Sequence, residues 1–258
     1  MTIKSVGGYD VTRKWKPVLL AIMAASLVWT CGFSNENQPV HKSRKYYEAH
    51  QDIVWEVPME EKLIALTFDD GPNPKTTPEI LDLLAENGAK STFFVVGKRM
   101  ERFPEVVRRE ALEGHEVANH TYSHLYFTKG VSRKRIVEEL EQAQNQIIDL
   151  TGQNCQWFRP PGGFYTDTVV DTVRKNGYTV ILWSWHQDTQ DWLAPGVSRI
   201  VNKVLNNARN GDIVLLHDHV DGSTQTVQAL RTILPELKKR GFKMVTVSEL
   251  LRHRKPKT

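Results

Sequence analysis

The stretch Leu66-Thr67-Phe68-Asp69-Asp70-Gly71-Pro72 ends an apolar run with two adjacent carboxylates and a Gly-Pro pair that turns the chain. Successive residues of a strand point to opposite faces, so Asp69 and Asp70 can serve one site only where the strand ends and the backbone begins to turn. At such a position one carboxylate can bind a cation while its neighbour transfers a proton. Two solvated loop carboxylates would give the same sequence, so this segment alone leaves the choice open.

A second pattern of candidate metal ligands is His120-Thr121-Tyr122-Ser123-His124. Histidines four residues apart lie on the same side of a helical turn, and this spacing allows two imidazoles to bind one ion. Together with one carboxylate oxygen they would leave a coordination position for water, as in catalytic sites for zinc or a similar divalent ion. A thiolate cage is excluded because the chain has only two cysteines, Cys31 and Cys155. The alternative is a pair of surface histidines without a metal.

From Leu63 onward, apolar strand-like segments alternate with amphipathic helix-like segments. About seven such β/α repeats indicate a mostly parallel sheet covered by helices. A doubly wound sheet would show the same alternation as a barrel. The candidate side chains all follow predicted strands, which favours the carboxyl-end face of a barrel. The predicted strands are 63–68, 91–96, 117–118, 156–158, 179–183, 212–216 and 243–247. The predicted helices are 77–87, 104–113, 132–150, 168–175, 197–208 and 224–239.

The N-terminal residues have the pattern of an export signal. Arg13-Lys14-Trp15-Lys16 precedes an apolar stretch from Val18 to Val28 that contains several small residues. This stretch is short for a membrane-spanning helix, although extension to Phe33 brings it nearer the required length. We therefore predict that residues 1–33 are a signal peptide or an N-terminal membrane anchor and that the protein is exported. Lipidation at Cys31 is a further alternative.

The rest of the chain divides into a linker, a domain and a tail. Residues 34–61 are predicted to be a polar linker, 62–251 a single catalytic domain and 252–258 a basic tail. The formal net charge is +4, but residues 1–31 hold four of the 34 basic side chains and one of the 30 acidic ones. The remainder is therefore close to neutral. We predict no nucleic-acid partner, since such binding requires a basic face, and we expect a monomer.

Five short motifs resemble, in order, those of the polysaccharide deacetylases with a NodB-homology domain, which are metal-dependent deacetylases of carbohydrate polymers. The resemblance covers about residues 62–251. It implies an α/β fold, namely a distorted (β/α) barrel of seven or eight strands with a single catalytic domain. The matching segments are residues 67–72, residues 120–124, Arg159-Pro160-Pro161-Gly162, Asp188-Thr189-Gln190-Asp191-Trp192 and Leu215-Leu216-His217.

The resemblance also implies the residues that would act on the acetyl carbonyl. Asp70, His120 and His124 would hold one divalent metal ion, expected to be zinc, with cobalt, nickel or manganese as alternatives. Asp69 would be the general base that activates water. Arg159 would hold this base, and an adjacent guanidinium keeps a carboxylate ionised.

For the leaving group and the substrate, the resemblance implies that His217 is the general acid and that Asp191 orients its imidazole. Trp192 and Leu215 would form the walls of the acetyl-methyl pocket. Gly162 stands where many family members have tyrosine, and its backbone N–H would serve as the oxyanion donor. We expect the missing side chain to widen or flatten one wall of the cleft. Three histidines have no motif role and are expected in surface or loop positions: His115, His186 and His219.

These features predict an exported hydrolase that removes acetyl groups from N-acetylated sugars, with peptidoglycan of a bacterial wall as the expected substrate. Chitin oligomers, O-acetyl groups or a small amide are alternatives within the enzyme class. A barrel that binds carbohydrate without turnover is the alternative outside it. A general base, a general acid and three metal ligands in one chain favour the enzyme, because a pure binder needs no proton-transfer groups. The motifs leave open which sugar ring would be deacetylated.

Overall fold

Strand β2 (Leu63–Asp69) lies at the heart of a parallel sheet and is buried along its whole length. Ile64, Leu66 and Phe68 pack among helix side chains, whereas Leu63 and Ala65 belong to a second apolar cluster. Because helices cover both faces of a parallel sheet, its central strands have nearly continuous apolar sequences, as β2 does. The computed structural model describes residues 42–128 and 130–254. The predicted leader at 1–33 and the first part of the predicted linker lie outside these residues, as do 255–258 of the predicted tail.

One parallel sheet contains all strands of the described residues. Besides β2, these strands are β1 (Ile53–Val54), β3 (Thr92–Val95), β4 (Glu116–Asn119), β5 (Trp157–Phe158), β6 (Thr179–Ile181), β7 (Asp212–His217) and β8 (Lys243–Met244). The order along the sheet is β1-β6-β5-β4-β3-β2-β7, and β8 pairs with the amino end of β2. Every strand pair is parallel, so the carboxyl ends of all strands lie at one face.

The sheet curls into an incomplete barrel. Its terminal strands β1 and β7 are connected by an isolated bridge between Glu56 and Asp212. Next to this bridge, the Ser184 N–H donates to the Ile213 carbonyl at 3.0 Å. These contacts bring the two edges together without a full ladder. The predicted α/β fold, a distorted (β/α) barrel of seven or eight strands, is confirmed, and the doubly wound alternative is wrong.

Six helices lie where the apolar periodicity predicts them, and the described residues form three more, α1, α3 and α9. In chain order the helices are α1 (Arg44–His50), α2 (Thr76–Asn87), α3 (Gly97–Arg102), α4 (Pro104–Leu112), α5 (Arg133–Thr151), α6 (Asp167–Lys175), α7 (Val197–Leu205), α8 (Gln225–Lys239) and α9 (Val247–Arg252). In α5 the Ser132 hydroxyl caps the first turn, Gly152 ends the helix in the left-handed conformation, and one apolar face is buried. None of the helices in the described part of the chain has the length and apolarity needed to cross a bilayer.

The structure corrects the predicted linker at 34–61, because its second half is part of the folded domain. Helix α1 packs Tyr47 into the core, and β1 pairs with β6 through Ile53 opposite Val180. Tyr47, Ile53 and Val57 are each at most 1% exposed. The short strand β1 was not predicted because most residues around it are polar. Averaged over this segment, the sequence is too polar to indicate a buried strand. The domain therefore begins before residue 62.

Two further local differences concern short elements. The short helix α3 was not predicted. The predicted strand 243–247 is shorter than expected, because Thr246 ends it and caps α9, with its hydroxyl accepting from the Glu249 N–H at 3.2 Å. Both misses are helices of a single turn or two, whose apolar periodicity is too brief to distinguish from a loop or a strand.

Candidate active site

The carboxyl ends of four strands open onto one cleft of about 340 Å³. Asp69 and His217 are the last residues of β2 and β7. His120 and Arg159 directly follow β4 and β5. This is the face of a (β/α) barrel on which active sites are built. The cleft is lined by Asp69, Asp70, His120, His124, Tyr126, Gly162, Gly163, Phe164, Trp183, Asp188, Trp192, Leu215 and His217.

Every residue predicted for the site lies in this cleft or directly behind it. Only Arg159 and Asp191 do not line it, and both are fully buried. Each of them contacts a predicted proton-transfer group that does line the cleft, as described below. The tertiary structure thus brings together segments that are up to about 150 residues apart in the chain, as only non-local contacts of a folded barrel can.

The backbone turns immediately after β2, which places both carboxylates in one site. Asp70 has a left-handed conformation with φ of 72°, so its side chain leaves the alternation of the strand that ends at Asp69. Gly71 follows, and the Asp218 carboxylate packs so closely against it that a Cβ there would overlap the carboxylate. Asp218 is buried and accepts a hydrogen bond from Thr77 Oγ1. Sequence reasoning did not identify this packing partner of the turn.

Asp70, His120 and His124 converge in the geometry of a metal site. One ligand atom from each residue lies within 4.8 Å of the other two. Asp70 Oδ1 is 3.2 Å from His120 Nε2 and 2.9 Å from His124 Nε2. Burial by itself would raise the pKa of the Asp70 carboxyl, but its hydrogen bonds with the two imidazoles hold this pKa well below its usual range. The carboxylate is therefore ionised, as a metal ligand must be.

The environment of His120 supports a cation at this position. His120 Nδ1 lies 2.7 Å from the Arg159 carbonyl oxygen, which can only accept, so Nδ1 carries the proton. Nε2 then directs its lone pair towards Asp70 Oδ1, and two electron-rich atoms this close require a cation or a second proton between them. An imidazole whose other nitrogen is bound to a carbonyl is a typical orientation for a metal ligand. Two nitrogens and one carboxylate oxygen fit a divalent ion such as zinc.

The two histidines lie on a loop and not on a helical turn, so the predicted structural basis of their spacing is wrong. Thr121 and His124 have φ values of 68° and 59°, and these left-handed residues curl the loop until both imidazoles face Asp70. The Glu139 carboxylate of α5 holds the loop, accepting from Ser123 N–H and Ser123 Oγ at 2.7 Å each. The two imidazoles are brought together by a loop that hydrogen bonds from another element hold in place, and not by the geometry of a helix.

Asp69 is bound to Arg159, as expected from the motifs. Arg159 Nη1 donates to Asp69 Oδ1 at 2.7 Å and to Thr67 Oγ1 at 2.8 Å. The other guanidinium nitrogens donate to two backbone carbonyls, and the guanidinium stacks 4.0 Å from the centre of the Phe94 ring. Burial lowers the pKa of Arg159, an effect that the Asp69 charge opposes. Asp69 Oδ2 is left to face the candidate metal ligands, 4.0 Å from His120 Nε2.

His217 and Asp191 form a second buried pair at the opposite predicted proton-transfer position. His217 Nδ1 donates to Asp191 Oδ1 at 2.7 Å, while Asp191 Oδ2 accepts from the His217 N–H at 2.8 Å and from Thr226 Oγ1 at 2.6 Å. Burial lowers the pKa of His217, but the bond to Asp191 and the charges of Asp191, Asp69 and Asp70 outweigh it and raise the pKa to about 9. Such a group is protonated at neutral pH and can donate a proton.

The cleft walls are aromatic, and the wall at Gly162 is not the widened one that was expected. A Cβ on Gly162 would lie 2.8 Å from Tyr126 Cε1 and 2.9 Å from the Phe164 ring. Two aromatic side chains therefore occupy the space that a residue at this position would take. Trp192 is 53% exposed at the cleft rim, whereas Leu215 is buried at its floor. Sequence reasoning assigned no role to Tyr126 or Phe164; the Gly162-Gly163 pair was the signal for a close approach there.

The three remaining histidines lie away from this chemistry. His115 lies in the loop between α4 and β4 and His186 in the loop between β6 and α7, as expected, but both are buried and neither is on the surface. His186 Nε2 lies 2.9 Å from Asp212 Oδ1, and burial lowers the pKa of His115 to about 4. His219 does not line the cleft and contacts Asn73 and Asp221 instead. Each of these imidazoles has a structural partner, or is neutral in the core.

Comparison with known proteins agrees with this geometry. Residues 56–181 match the family model described as Polysaccharide deacetylase. A peptidoglycan-N-acetylglucosamine deacetylase of Bacillus cereus is 49% identical over 217 residues, which are 82% of this chain and 98% of that protein. The chain belongs to the polysaccharide deacetylase family. The resemblance drawn from the five motifs is thereby confirmed.

Further relatives of this chain are named as deacetylases of different carbohydrates. A chitooligosaccharide deacetylase of Bradyrhizobium sp. is 39% identical over 199 residues, covering 72% of this chain and 90% of that protein. The solved structure of the Bc1960 peptidoglycan N-acetylglucosamine deacetylase, in complex with 4-naphthalen-1-yl-N-oxidanyl-benzamide, superposes with a TM-score of 0.77 at 32% identity. That superposition covers 84% of this chain and 100% of the other. This chain is accordingly a deacetylase, a hydrolase of the same fold.

Proposed function

We propose that this polysaccharide deacetylase is a metal-dependent enzyme that removes the acetyl group from N-acetylglucosamine residues of peptidoglycan. The observation that carries the proposal is the convergence of Asp70, His120 and His124 within 4.8 Å, in the same cleft as Asp69 and His217. The names of the Bacillus cereus relative and of the Bc1960 structure support peptidoglycan as the substrate.

The three proposed ligands would present a divalent ion to the acetamide carbonyl. When bound, such an ion supplies Lewis-acid polarisation of that carbonyl. Zinc suits two imidazoles and one carboxylate, and cobalt, nickel and manganese are alternatives. Asp70 offers an ionised oxygen to the site, and the His120 imidazole is oriented for it by the Arg159 carbonyl.

Asp69 is the proposed general base. Its Oδ1 is held by Arg159, so Oδ2 remains to accept a proton from the water that attacks the acetyl carbon. The guanidinium fixes the orientation of the carboxylate through a charge-assisted hydrogen bond. A base that is already oriented loses little entropy when it takes the proton.

His217 is the proposed general acid. Its Nδ1–H is bound to Asp191, so its other ring nitrogen is available for the sugar amine. As the C–N bond breaks, this nitrogen donates a proton to the departing amine and acetate is released. Trp192 and Leu215 would bound the apolar space for the acetyl methyl, and the Gly162 N–H is the proposed donor to the developing oxyanion.

The polar groups are arranged for turnover more than for binding alone. A carbohydrate-binding barrel without activity would need the aromatic walls but neither of the buried pairs Arg159–Asp69 and Asp191–His217. Both pairs cost desolvation energy, which a binding function would not offset. We also propose an extracytoplasmic location, secreted or membrane-anchored through residues 1–33, on the basis of the basic and apolar pattern of those residues.

The test is acetate release by the metal-loaded full-length protein from purified peptidoglycan, chitin oligomers and O-acetylated xylan. We expect release from peptidoglycan, with the Asp69→Asn protein as the inactive control. Faster release from chitin oligomers would identify a chitooligosaccharide deacetylase, and faster release from xylan an esterase. Absence of acetate from all three substrates would contradict the enzyme function.

Fractionation of cells should place the full-length chain outside the cytoplasm, and a soluble cytoplasmic chain would contradict the proposed location.

A further inference from the structure

One carboxylate of helix α5 is buried without lining the cleft. Glu139 is 0% exposed, and it is not among the cleft residues. Its Oε1 accepts from Ser123 Oγ at 2.7 Å and from Arg135 Nη2 at 2.5 Å, and its Oε2 accepts from the Ser123 N–H at 2.7 Å. Removal of a carboxylate from water costs free energy that such hydrogen bonds must offset. Two of these three bonds go to Ser123, the residue directly before His124 in the chain.

The ligand loop, residues 120–124, has a backbone conformation that its own sequence does not favour. Thr121 and His124 are left-handed, with φ of 68° and 59°. This region is uncommon for residues other than glycine, and for a β-branched residue such as threonine it is a genuine outlier. Such conformations persist only where surrounding contacts fix them. The contacts of the ligand loop with other elements therefore determine where its two imidazoles lie.

The first half of the ligand loop is fixed without Glu139. The Gly97 N–H donates to the Thr121 carbonyl at 3.0 Å, and the next N–H of α3 donates to the Tyr122 carbonyl at 2.8 Å. A Cβ on Gly97 would lie 2.8 Å from Tyr122 Cα, so α3 and the loop are in direct backbone contact. His120 is 1% exposed, and its Nδ1 is bound to the Arg159 carbonyl. The first imidazole is thus held by β5 and α3.

The second half of the ligand loop depends on Glu139. The His124 side chain is 30% exposed, and its Nε2 lies 2.9 Å from Asp70 Oδ1. Its left-handed backbone follows Ser123, which Glu139 holds through both the N–H and the hydroxyl. Without the carboxylate, the Ser123 N–H loses its acceptor and the backbone at His124 can relax out of the left-handed region. We therefore expect His124 to be more sensitive than His120 to the loss of Glu139.

We propose that Glu139 is a positioning residue of the metal site, which holds His124 towards Asp70 through Ser123 and thereby raises the affinity for the divalent ion. The inference rests on the proposed function, because it requires a metal at the three proposed ligands. A ligand that is already oriented loses less conformational freedom when the ion binds. The hydrogen bonds of Glu139 go to Ser123 and Arg135 and not to the ligands themselves. Its effect should therefore be on metal occupancy and not on proton transfer.

The test measures the zinc affinity of the full-length protein by competition with a chromophoric chelator. The visible spectrum of the cobalt-loaded protein reports the number and geometry of the ligands. We expect Glu139→Ala to bind zinc at least about tenfold more weakly than the wild-type protein, the lower end of the effect of residues that orient metal ligands. Its cobalt spectrum should also change. Glu139→Gln should lose less affinity, because the amide has the same shape and its oxygen can still accept from the Ser123 N–H. Ser123→Ala should lose less as well, since it removes only one of the two hydrogen bonds.

Glu138→Ala is the matched control. Glu138 precedes Glu139 in α5, and its 40% exposed side chain pairs with Lys134 and Arg135. This variant should bind zinc like the wild-type protein. Wild-type affinity in Glu139→Ala, even with a lower melting temperature, would show a structural role alone and overturn the proposal. An equal loss in Glu138→Ala, or a loss in Glu139→Gln as large as that in Glu139→Ala, would overturn it too. If Glu139→Ala does not fold, wild-type affinity in both Glu139→Gln and Ser123→Ala would overturn it.

The affinity measurements need no substrate, so they separate this proposal from the proposed function. Zinc binding without acetate release by the wild-type protein would contradict the proposed function and leave the Glu139 comparison in force. A wild-type protein that binds no zinc would contradict both. Acetate release by Glu139→Ala should approach the wild-type rate in excess zinc, and a defect that persists at full zinc occupancy would overturn a role in metal affinity.

Discussion

Arg159 Nη1 lies 2.7 Å from Asp69 Oδ1, in an ion pair whose two side chains are 0% and 5% exposed. Arg159 also donates to the Ile181 and Leu182 carbonyls, so the guanidinium is fixed by groups that cannot themselves rotate away. One oxygen of Asp69 is therefore immobilised and the other faces the proposed metal ligands. The carboxylate is oriented before any substrate binds, which is the arrangement that general-base catalysis requires.

Substitution of Asp69 by asparagine should separate proton transfer from metal binding. We expect kcat to fall by at least about a hundredfold, the lower end of what a positioned proton-transfer group contributes. Metal content should stay near that of the wild-type protein, because Asp70 is the proposed carboxylate ligand. The Arg159 charge is left unpaired in the core, so a lower melting temperature should accompany the loss. Loss of the metal together with recovery of the rate in excess metal would show that the two aspartates have the opposite roles.

Removal of a proposed metal ligand should weaken metal binding. We expect His124→Ala to bind zinc at least about tenfold more weakly than the wild-type protein, since even residues that only orient a ligand contribute ten- to a hundredfold. Metal analysis of the purified protein should give about one divalent ion per wild-type chain, and a chelator should abolish activity. His253→Ala is the control, because His253 lies at the end of α9 and outside the cleft. Full activity after exhaustive chelation would contradict the metal mechanism.

Asp191 should control the alkaline limb of the pH–rate profile. The pKa of His217 is raised to about 9, so the acid form that donates to the amine is present at neutral pH and is lost as the pH rises through this value. Asp191→Asn removes the negative charge that contributes to the raised pKa, and burial then lowers the pKa. We therefore expect the alkaline limb of kcat/KM to move to lower pH. A bound cation would lower this pKa in both proteins, so the comparison rests on the difference between them.

Asp221→Asn is the control for this shift, because Asp221 carries the same charge but is almost fully exposed. Its alkaline limb should match that of the wild-type protein. The His217–Asp191 pair should also affect stability, because the pKa of the His217 imidazole is raised to about 9 in the folded protein. The resulting contribution to the free energy of unfolding is fully present below about pH 6.5, the ordinary pKa of histidine. It disappears as the pH rises through about 9. Coincident limbs in the wild-type and Asp191→Asn proteins would show that Asp191 does not set the pKa of the acid.

Truncation should locate the true start of the domain. A chain that begins at residue 42 should fold with high stability, because all described elements are retained. A chain that begins at residue 62 loses the buried side chains of Tyr47, Ile53 and Val57. Each such burial contributes about 1.5–3 kcal/mol, so the summed loss is a large part of the roughly 5–15 kcal/mol by which domains are stable. Urea unfolding of the two chains measures the difference, and equal midpoints would contradict a structural role for α1 and β1.

The alternation of apolar segments in the sequence predicted a mostly parallel sheet, and the resemblance of five motifs to the polysaccharide deacetylases implied the barrel and the members of the candidate site. The apolar run that ends at Asp69 is buried on both faces of the sheet, and such a run can be recognised without tertiary information. The long helix α5 begins at a serine cap, ends at a glycine and keeps one apolar face, so its bounds were predicted to within about one residue. These features depend on residues that are neighbours in the chain.

Only the tertiary structure decided how those residues meet. The loop of His120 and His124 takes its shape from left-handed residues and from Glu139 of α5, and no local spacing encodes that contact. The short strand β1 exists because β6 pairs with it, which a polar window cannot reveal. Gly162 was visible in the sequence as a missing side chain, but the rings that fill its space come from Tyr126 and Phe164, one of them 36 residues away in the chain. Such packing depends on which segments the barrel brings together, because close contacts between distant residues form only after the chain has folded.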